Sequence, residues 1–216
     1  SAWQRRQNRT HGVFIKTRQR FVAPAFSSNE EQSKDVAYAT ALRRFQRHRL
    51  KDSMTNDQVL LNAPQLRVPQ WIDGHGNASR PLELVDLGDG FKVIFCFQHR
   101  CPGCHSHGFP TLKALVDVLS GLGFGFVAVQ TVFEAAEINT FARLRETQQR
   151  YGLAIPFGHD PAVDRYPSLM TDFETRGTPW FIVLDPLGEV IHSDFRLDAE
   201  SLLRTFGGAD ELVQVT

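Results

Sequence analysis

Two cysteines stand three residues apart in the run Cys101-Pro102-Gly103-Cys104. A pair at this spacing can shuttle between dithiol and disulfide, or can hold a metal ion together with other soft ligands. In exchange chemistry a thiolate attacks a disulfide, a mixed disulfide forms, and a second thiol one helical turn away resolves it. The expected attacker is Cys101 and the expected resolver is Cys104. The pair follows a β-branched and aromatic run, Lys92–Phe97, and opens a helical pattern. Cys101 is therefore expected at a helix N-terminus, where unpaired backbone N–H groups and the helix dipole favour a negative charge. His99, Arg100 and His105 add positive or polarisable groups that tune the thiolate. The third cysteine, Cys96, alternates onto a different face from Phe95 and Phe97 and reads as a small buried apolar residue.

The metal alternative rests on His99, His105 and His107 beside the cysteines. Cys101 and His105 are spaced i, i+4, and Cys104 and His107 are spaced i, i+3, so each pair shares a helix face. The two pairs point in different directions, so a non-enzymatic Cys/His metal module is the weaker reading. No metal and no organic cofactor is expected. A second feature lies well downstream: Gly177-Thr178-Pro179-Trp180, at the entrance of an apolar run. Proline is tolerated at the first residue of a strand.

The elements that must position these residues are legible in part. Leu66–Ile72 reads as a strand, Asp73–Asn77 as a turn, and Leu82–Val85 as the returning strand of an N-terminal hairpin. Gly88-Asp89-Gly90 turns into strand Lys92–Phe97. Cys101–Leu119 is a helix with Leu112, Leu115, Val116 and Leu119 on one face and a kink at Pro110. Gly121–Gly125 turns into a buried strand, Phe124–Val129. Glu137–Tyr151 reads as a second helix and Ala162–Phe173 as irregular and partly helical. Trp180–Leu184, a turn at Asp185–Gly188, and Glu189–Phe195 form a hairpin. Asp198 caps a last helix through Phe206, with Gly207-Gly208 stopping it. Strands alternating with helices, plus a terminal hairpin, imply an α/β fold with a mixed central sheet flanked by helices.

The chain has 216 residues and a formal net charge of zero, which argues against a nucleic-acid partner. The balance is uneven: residues 1–53 hold 12 Lys/Arg against 4 Asp/Glu, and the remainder 12 against 20. The first part, 1–56, reads as a basic N-terminal extension, disordered or helical at 35–50; residues 57–216 read as the folded domain. An Arg-rich, acid-poor start has the composition of an organelle transit peptide or a disordered arm. It lacks the apolar core of a secretory signal, and no run approaches the roughly 18 apolar residues of a membrane span. The expected location is cytoplasmic, with organelle targeting the other option, and no membrane partner is expected.

Taken together, the segments resemble the thioredoxin-like superfamily, in its TlpA-like and peroxiredoxin-like (AhpC/TSA, redoxin) branch. The resemblance is carried by Asn62-Ala63-Pro64, Asp86-Leu87-Gly88, the FCFQHRCPGC segment, Gly177-Thr178-Pro179 and the FIVLDPLGEV hairpin, and it spans about residues 60–206. It implies a thioredoxin fold and a redox-active Cys101–Cys104 pair. It also implies a cis Thr178–Pro179 bond beside the cysteines, with backbone that pairs with the substrate peptide. The implied activity is thiol–disulfide oxidoreduction, with a disulfide-containing protein or small thiol as substrate and an upstream thiol reductant. An antioxidant role in redox homeostasis follows from it. Three departures qualify the likeness. Arg100 stands where thioredoxins carry Trp, which makes the site more electropositive. Phe95 replaces a buried Asp that relays protons. Gln98 stands where a peroxidase carries a Thr or Ser for peroxide, which weakens the thiol-peroxidase alternative with Cys101 as peroxidatic residue.

Overall fold

The computed structural model describes residue 40 and residues 63–206. The expectations for the extension 1–56, the helix at 35–50 and the Gly207-Gly208 stop lie outside the described residues.

Seven strands form one mixed sheet: β1 Gln70–Ile72, β2 Ala78–Ser79, β3 Lys92–Phe97, β4 Gly125–Val132, β5 Phe157–Pro161, β6 Trp180–Leu184 and β7 Val190–Asp194, in the order β2-β1-β5-β4-β3-β6-β7. Strands β3, β4 and β5 run parallel, while β6 lies antiparallel to β3, β7 to β6, and β1 to β5. Parallel neighbours need crossover helices. They are α1 Phe109–Leu119 and α2 Arg143–Tyr151. Both pack on one face through Phe109, Leu112, Leu115, Leu119 and Leu144, joined there by Leu202 of α4 Ala199–Phe206. The opposite face carries α3 Ser168–Asp172, with Leu66, Val68, Trp71, Leu84 and Leu169 in its core. This is the expected α/β sandwich, with β3 and β6 at the predicted bounds.

Elsewhere the boundaries move for physical reasons. The first strand is shorter than Leu66–Ile72. Pro69 has no N–H to give the ladder, so pairing starts at Gln70, while Leu66 and Val68 still bury their side chains. Leu82–Val85 is not the returning strand. That role falls to Ala78–Ser79, and Leu84–Leu87 form a 3-10 turn in which the Asp86 carboxylate accepts the Glu83 N–H at 2.8 Å. Helix 137–151 begins only at Arg143. Asn139 is committed to its own loop, donating to the Glu134 and Ala135 carbonyls, and Ala135 has φ 47°.

Strand β5 is absent from the sequence reading. Its residues, Phe-Gly-His-Asp-Pro, have poor strand propensity. They are suited to this place instead. A Cβ on Gly158 would sit 2.9 Å from Val68 Cγ1 and 3.0 Å from the Trp71 ring. Asp160 accepts the Ser168 and Leu169 N–H groups and the Ser168 hydroxyl, capping α3.

Candidate functional site

Strand β3 delivers the dithiol. Its six residues are all buried, and the chain leaves the sheet at Gln98. The helix starts at Pro102, which places Cys101 at the N-cap and proline at the first helical position, where its missing N–H costs nothing. The cap bond is made by sulfur: the Cys104 N–H donates to Cys101 Sγ at 3.2 Å. A side-chain acceptor at the N-cap and a backbone donor three residues on is the geometry by which serine or aspartate caps a helix. Here it aims a backbone dipole at the Cys101 sulfur.

The cysteines differ sharply in access. Cys101 is half-buried, whereas Cys104 is fully buried. Burial, reinforced by the contact with Cys101, pushes the Cys104 thiol well above its ordinary range. Cys96 is also buried, and its thiol is raised by the same desolvation. No disulfide links any of the three.

At Pro110, the expected kink, the backbone widens ahead of the proline. Cys104–Gly108 form a π turn, in which the Phe109 N–H reaches back five residues to the Cys104 carbonyl. The ring of Pro110 would otherwise press on the carbonyl four residues earlier.

The Thr178–Pro179 bond is cis, and the loop lies against the dithiol. The Cys101 thiol donates to the Thr178 carbonyl at 3.4 Å. A Cβ on Gly103 would meet Pro179 Cδ at 3.1 Å, and one on Gly108 would meet Pro179 Cβ at 3.1 Å and Phe95 Cζ at 2.5 Å. The two glycines thus give the proline ring its seat. Phe95 lies among Phe97, Phe109 and Phe181, with ring centroids 6.1, 5.0 and 4.7 Å away. Position 95 is thus enclosed by aromatic rings.

The three residues assigned to thiolate tuning separate. Arg100 is exposed beside Cys101. His99 donates its backbone N–H to Asn139 Oδ1 at 2.7 Å, and its Nδ1 lies 3.1 Å from Thr147 Oγ1. Burial lowers its imidazole below the ordinary range. His105 spans two partners, with Nε2 2.6 Å from the His99 carbonyl oxygen and Nδ1 2.5 Å from the Tyr151 hydroxyl. His107 is exposed and bonds Ser106. The metal alternative gains nothing from this arrangement. His99 and His105 spend ring nitrogens on protein partners, and among the described residues no group of three His, Cys, Asp or Glu side chains could hold an ion. Gln98 is buried and donates to the Thr131 carbonyl at 3.1 Å, so no hydroxyl faces Cys101 from that position.

Sequence reasoning missed Asn139, Thr147 and Tyr151. The only available signal was the i, i+4 spacing of Thr147 and Tyr151 on one helix face. Among the described residues no helix is long and apolar enough to cross a membrane.

No protein-family model matches the sequence, and none of the curated proteins does. Solved structures do. A thioredoxin-like superfamily protein is 31% identical, with the match covering 68% of this chain and 96% of that one at a TM-score of 0.59. A thiol-disulfide isomerase from Corynebacterium glutamicum is 27% identical, covering 72% of this chain and 99% of its own, at a TM-score of 0.58. A thioredoxin-like protein solved in its oxidised form shares the fold at 17% identity and a TM-score of 0.50, covering 63% and 88%.

Proposed function

The chain belongs to the thioredoxin-like superfamily, and from that premise we propose that it is a thiol–disulfide oxidoreductase working through Cys101 and Cys104. The observation that carries the reading is the inequality of the two sulfurs. One is accessible, held between the Cys104 N–H and the Thr178 carbonyl; the other is sealed in the core with its thiol raised by burial.

That inequality orders the steps. Cys101, as thiolate, attacks one sulfur of a substrate disulfide. A Cys101–substrate S–S bond forms, the substrate S–S bond breaks, and the electron pair leaves on the second substrate sulfur, which takes up a proton. Cys104 remains protonated meanwhile, so it does not compete for the first attack. It then loses its proton and attacks Cys101 Sγ. The Cys101–Cys104 disulfide forms and the first substrate sulfur leaves as thiolate. The substrate is reduced by two electrons and the protein is oxidised by two; an upstream thiol reductant restores the dithiol. The Thr178 backbone, next to Cys101, offers hydrogen-bonding groups to an extended substrate segment, a short form of strand addition. The substrate class we propose is a disulfide-containing protein or small disulfide.

The test is reduction of insulin disulfides by the full chain with dithiothreitol as reductant. Cys101→Ser is expected to abolish the reaction, and Cys104→Ser to accumulate a mixed disulfide visible by mass spectrometry. Parent-like turnover by Cys101→Ser would overturn the proposal. Oxidation by hydrogen peroxide orders of magnitude faster than that of a simple thiol would transfer the site to the peroxidase reading. Zinc or copper retained stoichiometrically by reduced, untagged protein would transfer it to the metal reading.

A further inference from the structure

We propose that Thr147 and Tyr151 are positioning residues of the dithiol, acting through the two histidines that flank it. The proposal deepens the oxidoreductase reading and rests on it for the word dithiol. The two residues are one turn apart on α2, so their side chains emerge on the same face. That face looks at the segment carrying Cys101, and each hydroxyl meets one histidine there: Thr147 Oγ1 the His99 ring, Tyr151 the His105 ring.

The proton positions follow from the partners. Thr147 spends its single O–H on the Arg143 carbonyl at 3.0 Å, so toward His99 it can only accept, and His99 Nδ1 carries hydrogen. The His99 carbonyl can likewise only accept, so His105 Nε2 carries hydrogen. In the neutral ring His105 Nδ1 is then a lone pair, and the Tyr151 O–H donates to it. The chain of donors runs from Tyr151 to His105 to the His99 carbonyl, and from the His99 ring to Thr147 to the Arg143 carbonyl. His99 and Cys101 are separated only by Arg100, and the Cys101 N–H is tied back to the Gln98 carbonyl at 3.2 Å. The loop before the attacking sulfur is thus clamped by its own following helix and by α2 together. The clamp fixes where Cys101 Sγ lies relative to the Cys104 N–H.

The Tyr151 ring is held independently, stacked on Phe109 with centroids 4.1 Å apart and planes 9° apart. Replacing Tyr151 with Phe therefore keeps the packing and removes one oxygen. Thr147→Val is the matching change, and Thr147→Ser retains the hydroxyl. The readout is the equilibrium constant of the Cys101–Cys104 couple against glutathione, measured on the full chain. Loosening the clamp withdraws a backbone dipole from the reduced form, so Thr147→Val and Tyr151→Phe should each move the equilibrium toward the disulfide. The expected factor is about fivefold, corresponding to the net worth of one hydrogen bond. Thr147→Ser should follow the parent. Parent-like equilibria for both Thr147→Val and Tyr151→Phe overturn the proposal. So does a Ser variant as displaced as the Val variant, because the effect would then belong to packing. Insulin assays separate the two ideas: a parent that forms the disulfide but reduces no substrate removes the functional reading, while a shifted glutathione equilibrium still stands for the clamp.

Discussion

The dithiol is flanked on two sides, and the flanks work by different means. The 178–179 loop contributes a backbone carbonyl to Cys101 and a proline ring seated on two glycines. Helix α2 contributes side-chain hydroxyls, each to a histidine ring rather than to sulfur. The loop flank meets Cys101 through backbone and is intolerant of added volume at its two glycines. The side-chain flank depends on single oxygen atoms.

Three changes would break or sharpen that contrast. The largest effect is expected at Gly108. A methyl there overlaps Phe95 and Pro179 together, so Gly108→Ala should destabilise the fold by about 1–3 kcal/mol, the usual cost of overpacking. Urea denaturation measures it, and an unchanged midpoint would mean that the proline seat is looser than its contacts imply.

An intermediate effect is expected from acid. Burial lowers the imidazoles of His99, on the α2 flank, and of His159, whose Nδ1 lies 2.9 Å from Gln130 Oε1. Each folded value lies below the ordinary 6.5. On acidification through that range the unfolded chain binds protons that the folded chain refuses, so stability falls with pH there and is fully retained above it. Asp160 works the other way: burial raises its carboxyl, so it favours the folded state at the most acidic pH and loses that advantage as pH rises through its folded value. The urea midpoint should therefore decline as pH drops below about 6.5, and His159→Gln should flatten part of the decline. A flat profile in the parent would contradict the burial of these rings.

The smallest effect is expected at Thr178. Its contribution to Cys101 is a carbonyl that every residue possesses, and its side chain adds the least of the influences on the buried Cys104 thiol, so Thr178→Ala should keep insulin reduction within about fivefold of the parent, the net worth of one hydrogen bond. A large loss would show that the side chain matters and would erase the distinction between the flanks.

The same distinction explains which parts were legible in the sequence. Cys101, Cys104, Thr178 and Pro179 announce themselves because short backbone motifs need particular residues in a row. Strands β3 and β6 do so because apolar runs buried on both faces have little other use. Strand β5 stayed hidden because tertiary neighbours chose its residues: Trp71 and Val68 leave only hydrogen at position 158, and α3 needs the carboxylate of Asp160. Thr147 and Tyr151 stayed hidden because each meets a partner more than 40 residues away. Residues 137–142 misled because Asn139 resembles a helix interior in pattern yet serves as a loop anchor.

The wide turn at Cys104–Gly108 has a consequence for how the molecule can vary. A hydrogen-bonded ring that spans five residues takes up one more residue than a regular turn, and one residue is about 100° of rotation about a helix axis. The dithiol tip and the Leu112–Leu119 stem are therefore aimed separately. Shortening the segment by one residue would press the Pro110 ring on the carbonyl four residues earlier and, with the apolar stripe kept on the sheet, would swing the sulfurs about a quarter-turn away from the Thr178 carbonyl.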